Sequence, residues 1–170
     1  MGSGDSGVEI RLTYAVVALI SAVTLALAQQ IPQELRGRWV VERILPTSTV
    51  SCWDATQARA MIGTEIEYTA DSLGWNKVRS PRVTAQVRFL TADEFHNEYS
   101  GGGANDSQVT FELGIRASKL ERIKVDHPPA SITGATTEIP GDEVFVKSPN
   151  TIVFSVCNVY FEARRAHPRR

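Results

Sequence analysis

The chain is poor in the residues from which metal and nucleophilic sites are built. It has three histidines and two cysteines in 170 residues. His96, His127 and His167 stand apart, none with another ligand at a recognised metal spacing, which argues against a zinc site. There is no nucleophile elbow, no phosphate-cradling glycine loop and no paired-histidine helix motif. The acidic pairs Asp93-Glu94 and Asp142-Glu143 are sequence neighbours. On a strand such neighbours face opposite sides, so their first reading is capping and turn formation. An enzyme using His96 or Glu94 would need polar groups facing inward, and the strand patterns place apolar residues there. The expectation is a non-enzymatic protein without metal or cofactor.

Excess charge is missing as well. The chain carries 18 basic and 19 acidic side chains; setting residues 1–28 aside removes Arg11, Asp5 and Glu9 and leaves 17 of each. A neutral chain has no basic stripe for a nucleic-acid backbone and no polybasic run for a lipid surface. Arg164-Arg165 and Arg169-Arg170 form only a short basic tail. The partners left are a small hydrophobic ligand or a protein.

Residues 14–28, YAVVALISAVTLALA, lack charge and close on Ala26-Leu27-Ala28, the small-x-small pattern of a signal-peptidase site. The run is shorter than the roughly 20 residues of a spanning helix. It has no cysteine at the cut, as a lipoprotein would need, and no polar positions at helical spacing. Asp5 and Glu9 precede the single Arg11 where a positive cluster is usual, which also fits a start codon further in. We expect a signal peptide over 1–28, a secreted or periplasmic chain starting at Gln29, and no stable membrane anchor. In such a compartment Cys52 and Cys157 would form one disulfide, the alternative being two buried thiols.

Strand alternation is the clearest positive signal. In 82–90, Val83, Ala85, Val87 and Phe89 alternate with Arg82, Thr84, Gln86 and Arg88; 108–115 repeats the pattern with Val109, Phe111, Leu113 and Ile115. Further strands are expected at 38–45, 64–68, 75–79, 119–126, 143–147, 151–156 and 159–164, with a two-residue turn at Cys157-Asn158. Asp54 caps a helix over 55–62 with Gln57 completing a capping box and Gly63 ending it. Thr91 and Glu94 form a second box, opening a helix that runs through Tyr99. Residues 100–107, SGGGANDS, read as a glycine-rich loop, with Asn105-Asp106-Ser107 matching a glycosylation acceptor.

This pattern predicts an all-β domain over 29–165 with two short helices, followed by a disordered tail at 166–170. An antiparallel barrel of eight or nine strands is expected because closure removes exposed edges; a two-sheet β-sandwich gives the same alternation. Tyr68, Val87, Phe89, Phe111 and Phe154 are the candidates to line an enclosed ligand space. The plainer reading of such residues is core, since eight strands enclose just enough room for their own side chains.

A short polar lead-in, Gly37-x-Trp39 on the first strand and an arginine ending the last strand together resemble the lipocalins and their bacterial lipocalin-like relatives. Among those relatives are small secreted domains with a helix like 57–63 and a closing Phe-x-x-x-Arg, here Phe161 to Arg165. The resemblance implies that Gly37 permits a close approach, that Trp39 plugs one end, and that Arg164 or Arg165 packs across the indole. The Thr-Asp-Tyr signature of lipocalins is absent, and a helix stands where they place a loop. It also implies a small apolar ligand held at the opposite, open end. The alternative is an inhibitor or partner-binding domain that presents 100–107 or Asp126-His127-Pro128-Pro129.

Overall fold

A computed structural model describes residues 29–46, 51–99, 113–115, 118–128 and 139–166. Residues 1–28, most of the expected strand 108–115 with Phe111, the loop carrying Asn105, and residues 167–170 with His167 lie outside that set. In chain order the elements are β1 (Gly37–Leu45), α1 (Ala55–Arg59), β2 (Glu65–Tyr68), β3 (Ser72–Trp75), β4 (Val78–Pro81), β5 (Thr84–Thr91), α2 (Ala92–Tyr99), β6 (Lys119–Asp126), β7 (Glu143–Ser148), β8 (Thr151–Val156) and β9 (Val159–Arg165). All the strands join one antiparallel sheet in the order β4-β3-β2-β1-β9-β8-β7-β6-β5.

That order forces the sheet to curl. β4 and β5 are its two outermost strands, yet only Arg82 and Val83 separate them in sequence. Pro81 and Thr84 are three residue steps apart and so no further than about 11 Å from each other, which brings the two edges together at this corner. Arg82 makes the bend with φ 57°. Three backbone bonds stitch the corner: Val83 N–H to Asp71 O at 3.0 Å, Ala85 N–H to Gln29 O at 2.7 Å, and Ile31 N–H to Ala70 O at 3.0 Å. Away from the corner no described ladder joins β4 to β5, and the fold is a curled half-barrel.

Turn chemistry sets the strand ends. Cys157 and Asn158 adopt φ 55° and 62°, the two left-handed positions of a type I′ hairpin, as the sequence predicts. Asn76 and Lys77 do the same at φ 45° and 74°, which corrects the expected strand 75–79: Trp75 ends β3 and Val78 begins β4. At the end of the expected strand 108–115 the chain turns, because Gly114 takes φ 67° between the buried Leu113 and Ile115. α1 is shorter than predicted, stopping at Arg59 with Ala60 as its C-cap, while Asp54 and Gln57 form the expected capping box and Gly63 reaches φ 82°. The second box also forms: Thr91 N–H donates to Glu94 Oε2 at 2.8 Å and Glu94 N–H to Thr91 Oγ1 at 3.2 Å.

Two cores lie on opposite faces of the sheet. The inner one holds Trp39, Val41, Ile66, Tyr68, Leu73, Ile123, Val144, Phe154 and Phe161. The outer one is built where strand positions of the other parity are apolar too: Leu45, Leu90, Leu120, Phe145, Val153 and Tyr160 receive Phe95 and Tyr99 of α2. Phe95 and Tyr99 stack at 4.9 Å, and each meets Phe145 edge-on at 5.2 Å. Arg88 bridges Glu94 and Glu98, and Arg122 also reaches Glu98 at 2.6 Å, so α2 is pinned to the sheet by charge as well.

Among the described residues Glu162 is the only buried side chain of the Asp, Glu, Lys and Arg class. It lies on the outer face, where Arg43 grips it with two bonds of 3.1 and 3.0 Å and Lys147 donates to it at 2.7 Å. Burial alone would raise its pKa, but the bonds from Arg43 and Lys147 outweigh that and hold the carboxyl below its ordinary value. A depressed acid stabilises the fold above its unfolded pKa and loses that contribution as pH falls through its folded pKa. Glu162→Gln should cost about 2 kcal/mol at pH 7, at the low side for a broken buried pair because Arg43 is more than half exposed. Urea titrations at pH 7 and pH 3 should show a smaller acid-induced loss in the variant, and equal losses would remove Glu162 from the acid response.

Candidate functional site

Gly37, Trp39 and Arg165 come together at the start of β1. Gly37 opens β1 at φ 120°, and a Cβ on it would lie 3.2 Å from Arg165 Nη1. Trp39 is 1 % exposed and its indole N–H donates to Leu35 O at 2.8 Å. The guanidinium of Arg165 sits 4.2 Å from the ring centroid. It also donates to Arg36 O at 2.7 Å, to Pro149 O at 3.1 Å and to Glu34 O, tying the lead-in turn to the last strand. Arg164 points the other way and pairs with Glu42 at 3.1 Å. Ala166, at the start of the expected tail, still donates its N–H to Arg38 O at 2.8 Å.

The other end is covered by the segment before α1. Cys52 and Cys157 are joined in a disulfide, which belongs in an oxidising compartment, and Trp53 meets Phe161 edge-on at 6.4 Å. Between these covers the inner face is occupied by side chains. Phe154 is fully buried and stacks on Phe161 at 5.4 Å. Tyr68 is buried with its hydroxyl donating to Gly141 O at 2.8 Å; burial, with Asp142 nearby, pushes its pKa well up, so it stays neutral. A side chain at Gly141 would overlap that hydroxyl, which explains the glycine. Of the expected lining residues, Tyr68 and Phe154 are therefore packed core, and Val87 is half-buried against it. Phe89 lines no enclosed space: it is 59 % exposed.

Two surface features remain. The first is a groove of about 640 Å³ beside β2, β3 and β4, lined by Glu65, Glu67, Gly74, Trp75, Lys77 and Arg79. Its charges are largely spent on each other and on β1, Arg79 pairing with Glu67 and Arg38 with Glu65.

The second is the outer edge of β5, which no described strand covers. In an antiparallel ladder every other residue turns its N–H and C=O away from its neighbour. Ala85, Val87, Phe89 and Thr91 are those residues here, since Ala85 N–H points outward to Gln29. The Ala85 donor is met by Gln29 and the Thr91 donor by Glu94. Between them, the N–H and C=O groups of Val87 and Phe89 meet no partner among the described residues. At that same stretch the Phe89 ring is exposed. Sequence alternation identified Val87 and Phe89 as one face of a strand, but nothing local marks β5 as an edge.

His127 lies 3.5 Å from Asp142, with its other ring nitrogen 2.9 Å from Pro128 O. No group of three or more histidine, cysteine, aspartate or glutamate side chains suited to a metal occurs among the described residues.

The chain matches no protein family model, no curated protein and no solved structure.

Proposed function

We propose that this is an exported, non-enzymatic binding domain that captures an extended segment of a partner protein along the outer edge of β5. The observation that carries the proposal is the pair of backbone positions at Val87 and Phe89 that no described residue matches, beside the exposed Phe89 ring. An edge of this kind is a template for strand addition, in which main-chain bonds give affinity and alternate side chains give specificity. Gln29 already pairs antiparallel with Ala85 on the same edge, so an extended segment is accommodated there. The capture stretch is short, bounded by Gln29 at one end and the Thr91–Glu94 box at the other. A segment with apolar side chains at alternate positions would place them beside Val87 and Phe89.

A small apolar ligand inside a lipocalin-like barrel is the competing reading. The Trp39 and Arg165 arrangement favours the lipocalin-like comparison for the plugged end. The occupied interior favours surface recognition, because Tyr68, Phe154 and Phe161 would have to give way to create room. Export rests on residues 14–28 and on the disulfide.

Phe89→Asp should leave stability within about 0.5 kcal/mol of the parent, as expected for an exposed position, and weaken partner binding tenfold or more. Binding would be read against an array of extended peptides, with Val78→Asp on β4, also exposed, as the control expected to bind normally. Retained binding by Phe89→Asp would move the site away from β5. Saturable quenching of tryptophan fluorescence by a fatty acid would instead support the interior ligand.

A further inference from the structure

We infer that Gln29 is a modification site: once it becomes the first residue, it cyclises to pyroglutamate. The inference rests on the proposed processing after Ala28, which leaves glutamine with a free α-amine. An α-amine has a pKa of about 7.7 to 8.0, so about a tenth or more is uncharged and nucleophilic at pH 7. That nitrogen attacks the side-chain Cδ of the same residue. A C–N bond forms to close a five-membered lactam, the side-chain amide C–N bond breaks, and ammonia leaves with the proton that the α-nitrogen gives up. No oxidant or co-reactant is required.

The fold leaves the side chain of this residue free to react. Gln29 is exposed, and its side-chain amide has no hydrogen bond among the described residues. The neighbouring Gln30 differs, since Arg36 Nη2 donates to its Oε1 at 3.3 Å. Beyond the reacting atoms the chain is anchored, by Ala85 N–H on Gln29 O and by the fully buried Ile31. Cyclisation rearranges only the α-nitrogen and the side chain, so the carbonyl that holds β5 is untouched and the lactam keeps one N–H.

The position gives the modification a consequence. Gln29 sits opposite Ala85, one step along the edge from Val87. A segment docked antiparallel on Val87 and Phe89 would run towards the amino end of Gln29. An ammonium there would be stripped of water when the segment docks, at a cost a neutral lactam avoids. The cyclised form is therefore the one suited to capture.

The test is an intact-mass measurement on the full chain exported and purified at neutral pH, followed over storage. The expected mass is that of the chain from Gln29 less one ammonia, with the amino end blocked to stepwise degradation and opened by a pyroglutamyl aminopeptidase. Gln29→Ala should show a free amine throughout. A stable, unmodified Gln29 terminus would overturn the inference and leave the processing reading standing. A mass showing no cut after Ala28 would overturn the processing reading and the inference together.

Discussion

Trp39→Ala should destabilise the protein by about 3 to 5 kcal/mol, the range for removing a buried aromatic side chain from a packed core. The ring is 1 % exposed and is contacted from two directions, by Leu35 O through its N–H and by Arg165 across its face. Truncation would leave a cavity beneath the lead-in turn, whose Ile31 and Leu35 belong to the same core. In a domain of this size each kcal/mol corresponds to about 2 to 4 °C, so the melting temperature should fall by roughly 6 to 20 °C. Trp39→Phe separates the effects: it keeps most of the volume and loses the bond to Leu35 O, for about 1 kcal/mol. Arg165→Ala would strip a donor from three backbone carbonyls and the cation from the ring. In a cycle with Trp39→Phe it should show a coupling of no more than about 1 kcal/mol. Urea titrations of the variants decide the matter. A loss below about 1 kcal/mol for Trp39→Ala would mean that this end is not held by the tryptophan.

Much of the arrangement around Trp39 was legible through the lipocalin-like resemblance. That resemblance implied Gly37, Trp39 and either Arg164 or Arg165, and the antiparallel pairing of β1 with β9 brings Arg165 onto the ring. Capping boxes at Asp54 and Thr91 and the turn at Cys157-Asn158 are local chemistry, and local chemistry can be read from neighbours. What escaped is set by topology. Alternation along 82–90 assigns Val87 and Phe89 to one face, but only the strand order makes β5 an edge and leaves Phe89 uncovered. Leu90 belongs to the other parity and is fully buried, because α2 folds back over the outer face. Glu162 between Phe161 and Ala163 looks like a solvent position on an alternating strand. Its burial follows from Arg43, on a strand distant in sequence, and Lys147, two strands earlier, arriving beside it.

Removing the disulfide should cost about 2 to 4 kcal/mol. Cys52 and Cys157 are 105 residues apart, and a loop of about 100 residues corresponds to about 4.7 kcal/mol in the chain-entropy model, of which measured cases usually return less. The link also fixes a structural cover. Around it Cys52 N–H and Ser51 Oγ both donate to Cys157 O, at 3.3 and 3.0 Å, and Trp53 lies against Phe161 of the inner core. The replacement has to respect the backbone: Cys157 has φ 55°, where asparagine is the best tolerated residue after glycine, so Cys52→Ser with Cys157→Asn isolates the covalent bond from turn strain. The hydrogen bonds to the 157 carbonyl survive this pair of changes, and the loss that remains belongs to the cross-link. Because the cross-link restricts the unfolded chain, the double variant should also unfold with a steeper denaturant dependence, its unfolded state exposing more surface. Lower stability with an unchanged slope would instead place the effect in the folded cover over Phe161. A change below about 1 kcal/mol would show that packing, without the disulfide, closes that end.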